Sequence, residues 1–88
     1  MAVTVTTHLP GLPAEAYDSI AAQQAEPLRA APGFVSHAAT VSADGVTVVE
    51  TWEAREDWQQ FFDERVKPHL PPGLPEPTVA ELHNVIAR

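Results

Sequence analysis

Two kinds of hydrophobic spacing alternate along this chain of 88 residues, and their order leaves few folds open. Side chains that alternate at every second position are typical of strands, whereas spacings of three and four are typical of amphipathic helices. The stretches follow one another as strand, helix, strand, strand, helix, strand. Because so short a chain has room for one core, we expect a single domain over residues 1–88.

The first strand and helix occupy the N-terminal third of the chain. Residues 2–9 alternate β-branched side chains and predict a strand, which Pro10-Gly11-Leu12-Pro13 ends. A helix is predicted to begin at Pro13, because proline is tolerated in a first turn. Its sheet-facing stripe recurs at spacings of three and four and comprises Tyr17, Ile20, Ala21, Gln24 and Leu28. Pro27 predicts a kink, and Ala31-Pro32-Gly33 ends the helix.

The middle of the chain is predicted to form a β-hairpin. Residues 34–41 and 46–53 are rich in β-forming side chains and flank Asp44-Gly45, a strong hairpin signal. With Asp44-Gly45 as the two turn residues, His37 is predicted to lie opposite Trp52.

The C-terminal third predicts a second helix and a last strand. Residues 54–68 place Trp58, Phe61 and Phe62 on one apolar helix face. A surface connector to residue 77 is predicted because prolines interrupt both helices and sheets, and it contains Pro68, Pro71, Pro72, Pro75 and Pro77. Residues 78–86 then alternate as a strand.

This order predicts an α+β fold of the ferredoxin-like type, βαββαβ, in which two helices cover one face of a four-stranded antiparallel sheet. The other sheet face is left uncovered, so we expect two copies to pack their sheets together as a homodimer. The chain has no cysteine and hence no disulfide to stabilise so small a fold, which favours association further.

Charge and motif content exclude several function classes. The formal net charge of −7 disfavours binding to nucleic acid and to anionic membranes. No apolar block of membrane-spanning length and no export signal are present in this sequence, so we expect a cytoplasmic protein. The histidine spacing predicts no metal site, the sequence lacks a phosphate-binding loop and a nucleophile elbow, and we expect no cofactor.

Residues 50–61, in which a strand ending in Glu-Thr-Trp leads through a polar turn into an aromatic helix, resemble the antibiotic biosynthesis monooxygenase group of the dimeric α/β-barrel superfamily. Residues 82–86 resemble that group's last strand. The resemblance implies a homodimeric barrel whose subunits each hold a ligand between sheet and helices. It places Trp52 and Trp58 at the group's aromatic positions. Some members carry a histidine in the second helix, where this chain has Phe61 and Phe62.

The candidate catalytic residues are His37 and Glu50, which share a face of the hairpin with Trp52, and His83 on the last strand. An imidazole and a carboxylate among aromatic side chains are suited to removing a proton from a phenol. The expected contacts of a small aromatic or hydrophobic ligand are Trp52, Trp58, Phe61, Phe62 and Tyr17.

Three functions fit this pattern. The first is a cofactor-independent monooxygenase acting on an aromatic or polyketide-type phenol or quinol. The second is a polyketide cyclase or isomerase that uses the same pocket without oxygen. The third is a non-catalytic homodimer that binds a small ligand or has a structural role, and a pocket filled by Trp52 and Phe61 would favour it.

Overall fold

Within residues 1–70 and 72–88, which the computed structural model describes, strands and helices follow one another in the predicted order. The strands are β1 (Val3–Pro10), β2 (Phe34–Ser42), β3 (Gly45–Trp52) and β4 (Thr78–Glu81). The helices are α1 (Ala14–Ala30) and α2 (Arg55–Phe61). Pro71, one of the prolines of the predicted connector, lies outside the described residues.

The four strands form one antiparallel sheet in the order β2-β3-β1-β4. In the central pair, Val5 of β1 lies opposite Glu50 of β3, and on its other side Val5 lies opposite Val79 of β4. Sequence neighbours β2 and β3 form the hairpin, while β1 and β4 pair across the chain. This topology confirms the predicted ferredoxin-like fold.

One face of the sheet carries the core. The buried cluster consists of Val3, Val5, Leu28, Trp52, Trp58 and Phe61. Its centre is Trp52, whose side chain is fully enclosed and whose ring centroid lies 5.4 Å from that of Phe34 and 5.6 Å from that of Phe61. Such aromatic pairs add roughly 0.5–1.5 kcal/mol beyond the area they bury. Trp52 thus packs against Phe61 of α2 and Phe34 of β2 at the centre of this core.

The predicted turn of the hairpin is wrong by one residue. Ala43 and Asp44 are the two turn residues, and Ser42 pairs with Gly45. A two-residue turn centred on Asp44 and Gly45 would need a positive φ at Asp44 in either favoured primed geometry. In the described part of the chain only glycines have a positive φ, and Gly45 reaches +133° directly after the turn.

This correction changes the cross-strand partners and leaves the faces unchanged. His37 lies opposite Glu50, where the sequence predicted Trp52. Moving the turn by one residue shifts each partner by two positions, and side chains repeat with a period of two. His37, Glu50 and Trp52 therefore still share the helix-facing side.

A β-bulge at Val35 adds a residue to this face. The register shifts between Phe34 and the residue two positions later, so that Phe34 pairs with Trp52. In a regular strand, Phe34 and His37 would point to opposite faces because they are three residues apart. The extra residue of the bulge turns both toward the helices. Val35 itself is left 55% exposed.

The second helical segment changes its winding part-way. After α2, the backbone continues as a π-helical turn over Phe62–Val66 and a 3₁₀ turn over Lys67–His69. The prediction of helix over residues 54–68 is thus close, but the segment consists of an α-helix, a π-helical turn and a 3₁₀ turn instead of one α-helix. None of the helices in residues 1–70 and 72–88 is long and apolar enough to cross a membrane.

The last strand is shorter than the predicted residues 78–86. β4 spans Thr78–Glu81, and its final residue lies opposite Val3, the first residue of β1. One further backbone bond follows, from the Leu82 N–H to the Ala2 oxygen at 2.8 Å. Beyond that point the neighbouring strand offers no ladder partner.

The sheet face opposite the helices is uncovered in the single chain. Its side chains are mostly small or hydroxyl-bearing and include Thr6, Ser36, Ala38, Thr40, Val49, Thr78 and Ala80, all exposed. Val49 is its most prominent apolar residue at 41% exposure. The prediction of a homodimer assumed an apolar face here, and the observed face is less apolar than that. Threonine and valine nevertheless also suit packing between two sheets.

Replacing Gly45 with alanine should destabilise the fold through the backbone. A Cβ at Gly45 would overlap the Leu9 carbonyl oxygen, and the residue also has a positive φ. Gly11→Ala is the matched control, because Gly11 has φ +75° but open space around a Cβ. We expect Gly11→Ala to cost roughly 1–3 kcal/mol of unfolding free energy, and Gly45→Ala roughly 1–3 kcal/mol more. Unfolding in urea, monitored by tryptophan fluorescence, measures both costs. Equal urea midpoints for Gly11→Ala and Gly45→Ala would contradict this prediction.

Candidate active site

Three elements bring together a tyrosine, a histidine and a glutamate. Tyr17 lies on the sheet-facing stripe of α1, His37 on the edge strand β2 and Glu50 opposite it on β3. All three are partly buried. The side chains of His37 and Glu50 are 23% and 14% exposed.

The three side chains form a continuous hydrogen-bonded chain that ends at the core. Tyr17 Oη lies 2.6 Å from His37 Nε2, and His37 Nδ1 lies 2.6 Å from Glu50 Oε2. Trp52 Nε1 donates to the other carboxylate oxygen, Glu50 Oε1, at 3.0 Å. We call Tyr17, His37, Glu50 and Trp52 the relay.

Counting donors and acceptors fixes the protons in the relay. An ionised Glu50 only accepts, so Nδ1 of His37 carries a proton and donates to it. In neutral His37, Nε2 is then the acceptor for the Tyr17 hydroxyl proton. Both histidine nitrogens and both carboxylate oxygens have a partner. The remaining lone pair of Tyr17 Oη is therefore the open position of the relay.

The surroundings of Tyr17 keep its hydroxyl protonated. Burial raises the pKa of Tyr17 above its ordinary value, and the negative charges of Glu50 and then Asp18 raise it further. Each effect disfavours the tyrosinate anion. Tyr17 is therefore held as a neutral hydroxyl beside His37.

The aromatic residues expected to contact a ligand mostly belong to the core. Trp52, Trp58 and Phe61 are 0%, 6% and 8% exposed. Phe62 is partly buried, with its ring centroid 5.2 Å from that of Trp58. In the single chain these rings fill the space beneath α2, and of the four only Phe61 reaches the wall of a surface depression. Of the five expected contacts, Tyr17 and Trp52 belong to the relay, Trp52 from within the core.

His83 does not join the site, contrary to the expectation. It follows the end of β4 and is exposed. β4 and β2 are the two opposite edges of the sheet, so His83 and His37 lie on different sides of the molecule. The expectation required the last strand to continue through residue 83, and the strand ends at Glu81.

Two shallow depressions lie on the helix side of the molecule, away from the relay. One, of about 210 Å³, lies between the end of α1 and α2 and has Phe61 and Arg65 in its wall. The other, of about 310 Å³, lies beside β1 and β4 and includes Val3 and Glu56. No group of three or more metal-ligating side chains occurs among residues 1–70 and 72–88.

Comparison with solved structures identifies the fold. The chain resembles a heme-degrading protein of Mycobacterium tuberculosis in its heme-free form, with a TM-score of 0.66, 19% identity and coverage of 99% of this chain and 100% of that one. It also resembles a monooxygenase of Streptomyces coelicolor in complex with Nanaomycin D, with a TM-score of 0.64, 22% identity and coverage of 99% and 91%.

The same heme-degrading protein with two hemes bound has a TM-score of 0.57, 18% identity and coverage of 100% and 99%. The chain shares the α+β ferredoxin-like fold of these proteins. The resemblance read from residues 50–61 is thereby confirmed at the level of the fold. No family model and no curated protein sequence matches the chain.

The contact between Tyr17 and His37 was missed from the sequence. Tyr17 was placed on the sheet-facing stripe and His37 on the helix-facing side of the hairpin. Their rings stack with centroids 6.1 Å apart. Only the position of α1 above the edge strand decides which stripe residue lies over His37, and no local pattern encodes that position.

Neutralising Glu50 should make Tyr17 easier to ionise. Tyr17 is the only tyrosine, so tyrosinate absorbance near 295 nm reports it alone. In Glu50→Gln one of the causes that raise the pKa of Tyr17 is absent, so the titration midpoint should fall below that of the wild type. The exposed Glu56→Gln is the control and should leave the midpoint in place.

The pH dependence of the folding stability follows from the direction of the Tyr17 pKa shift. A folded-state pKa above the unfolded one gives stability that is fully present below the unfolded pKa. That stability is lost as the pH rises through the folded pKa. The loss therefore begins at the unfolded-state pKa in both proteins, and in Glu50→Gln, whose folded-state pKa lies closer to it, the loss should be smaller and end at lower pH than in the wild type. An unchanged tyrosinate midpoint in this variant would contradict the role of Glu50.

Proposed function

We propose that the protein is a small monooxygenase-like enzyme that removes a proton from an aromatic or polyketide-type phenol or quinol and lets the anion react with dioxygen. The observation that carries the proposal is the relay, in which a histidine held by a carboxylate is hydrogen-bonded to a tyrosine hydroxyl. A base fixed by a third group is the usual arrangement for proton removal.

The proposed step runs along the relay. The substrate hydroxyl donates to the open lone pair of Tyr17 Oη while Tyr17 passes its own proton to His37 Nε2. The imidazolium that results is stabilised by Glu50, because a charge-assisted hydrogen bond at 2.6 Å is stronger than a neutral one. The raised pKa of Tyr17 favours transfer of both protons together.

The overall reaction balances without a further reductant. The phenolate ring carbon is oxidised by dioxygen, one oxygen atom enters the ring as a quinone carbonyl, and the other leaves as water with two hydrogens of the substrate. The proton held on His37 returns to the departing oxygen. Dioxygen is the co-reactant, and the Streptomyces coelicolor fold neighbour is a monooxygenase crystallised with Nanaomycin D.

Heme does not fit the residues between sheet and helices. Protein ligands to heme iron are histidine, cysteine, methionine or tyrosine. The α2 face toward the sheet presents Phe61, His37 has both ring nitrogens engaged, and the Tyr17 hydroxyl is bonded to His37 in a part-buried position. His69 and His83 are exposed, and His8 lies on the opposite sheet face, bonded to Thr47. We therefore derive no step through heme.

A non-catalytic ligand-binding role is the second candidate, and one observation favours it. Trp52 and Phe61 fill the space between sheet and α2, as expected for a protein whose barrel has no deep pocket. The two depressions, of about 210 and 310 Å³, are at or below the lower limit of roughly 300–1,000 Å³ typical of ligand pockets. Binding without turnover distinguishes this candidate from the enzyme.

We also propose a homodimer in which the uncovered sheet faces pack together. The face carrying Thr6 and Val49 has no cover in the single chain. Two sheets packed face to face would bury it. The relay lies on the other side, so each subunit would keep its own site.

Oxygen uptake with a panel of phenols and naphthols tests the catalytic proposal. We expect His37→Gln and Tyr17→Phe each to lower kcat/KM at least about 100-fold, the lower end of the general acid–base contribution. His69→Gln is the control, since His69 is exposed and outside the relay. Urea midpoints would verify that each variant is folded.

The outcomes separate the three functions. Turnover that persists without oxygen would indicate a cyclase or isomerase. Ligand binding without product under any condition would indicate the non-catalytic role. Oxygen uptake that is equal in wild type, His37→Gln and Tyr17→Phe would exclude the relay from the reaction.

Charge placed on the uncovered face should break the dimer. Val49→Lys puts an ammonium group at the centre of the proposed interface, where an unpaired charge is costly to bury. Val41→Lys is the matched control, because Val41 is 59% exposed but has the helix-facing parity of β2. Sedimentation equilibrium should show a dimer for wild type and Val41→Lys and a shift toward monomer for Val49→Lys. A monomeric wild type at all concentrations would contradict the proposal.

A further inference from the structure

The strand residues on the uncovered face of the sheet are uncharged when His8 is neutral, although the chain has a formal net charge of −7. The two carboxylates within the strands, Glu50 and Glu81, have the helix-facing parity, because they lie opposite Val5 and Val3. Two copies of so acidic a chain repel each other, and the repulsion is smallest where neither surface carries a charge. This distribution of charge supports a second copy as the cover of the uncovered face.

His8 is the one side chain on this face, within the described residues, that can take up a proton near neutral pH. It lies on the central strand β1 opposite Thr47 of β3, and its Nδ1 is 3.0 Å from the Thr47 hydroxyl oxygen. Beyond Thr47, strand β2 presents Thr40. On the other side of β1, strand β4 begins at Thr78, which lies opposite Thr6. These neighbouring strands therefore place no charged group opposite His8.

Carboxylates occur only at or near the ends of the strands that form this face. Asp44 is a residue of the hairpin turn, Glu53 directly follows β3, and Glu76 precedes β4 by two residues. All three are exposed. The ion pairs within residues 1–70 and 72–88 join Arg29 with Glu26 and His37 with Glu50, and neither involves His8. A protonated His8 therefore has no partner of opposite charge among the described residues of its own chain.

We propose that His8 makes the homodimer sensitive to pH, so that two copies associate at neutral pH and the association weakens in acid. The proposal rests on the homodimer proposed above. Histidine is the side chain that ordinarily changes its charge between about pH 5 and 8. Neutral His8, hydrogen-bonded to Thr47, can be covered by a second sheet. A protonated His8 would be buried there as a charge without an opposite partner, which is unfavourable.

Acidification acts on the homodimer in two opposite directions. Protons taken up elsewhere on the surface bring the net charge of −7 closer to zero, which reduces the repulsion between copies and strengthens association. Association that depends on neutral His8 is fully present at the pH where the separated chains are unprotonated there, and it is lost as the pH falls. A dimer that weakens in acid therefore indicates the uncovered face as the cause, because the overall charge has the opposite effect.

Sedimentation equilibrium at about pH 7.5 and about pH 5.5 tests the proposal through the dimer dissociation constant. Each dimer contains two copies of His8, so we expect the dissociation constant of the wild type to rise at least about tenfold in acid. His8→Gln keeps a polar group beside Thr47 and cannot be protonated, so its dissociation constant should not rise. His69→Gln is the matched control, because His69 is exposed in the 3₁₀ turn after α2, and it should keep the wild-type response.

His8→Asn is the second variant and carries the test if His8→Gln does not fold. Tryptophan fluorescence at both pH values verifies that each chain remains folded. A wild-type dissociation constant that is unchanged or falls in acid, or a rise that survives in His8→Gln or His8→Asn, would overturn the role of His8 and leave the homodimer standing. A wild type that is monomeric at both pH values would refute the homodimer and the role of His8 together. Oxygen uptake does not enter these measurements, so the proposed reaction is tested separately.

Discussion

A carboxylate on the helix-facing side of the sheet must be supplied with donors, and that requirement organises the site. Glu50 receives one hydrogen bond from the Trp52 indole and one from His37. An unpaired carboxylate in that position would cost more than the packing around it returns. Since Trp52 is also the fully buried centre of the core, the side chain that packs against Phe61 of α2 is the one that donates to Glu50.

The same indole limits where a ligand can bind. Trp52, Trp58 and Phe61 occupy the space beneath α2, whereas the relay lies at the β2 edge beneath α1. Heme and Nanaomycin D are held by fold neighbours that are 18–22% identical to this chain. With so few residues shared, the likeness extends to the fold.

Local patterns predicted the elements well because they depend on spacing within one segment. The prediction that His37, Glu50 and Trp52 share a face rests on the two-residue period of strands. It stayed correct although the turn was misplaced by one residue, because the cross-strand partners then shift by two positions. The turn itself was misplaced because the positive φ falls on Gly45 after the turn. His83 was misassigned because strand length depends on the neighbouring strand, and no local signal marks the end of pairing at Glu81.

The sequence by itself determined the order of strands and helices, the ferredoxin-like sheet and the helix-facing parity of His37 and Glu50, since each follows from short-range periodicity and turn chemistry. Tertiary structure alone decided that a bulge at Val35 brings Phe34 onto that face. It also decided that α1 places Tyr17 within hydrogen-bond distance of His37. Such contacts depend on how a helix lies across a twisted sheet, which is set by packing of residues far apart in the chain.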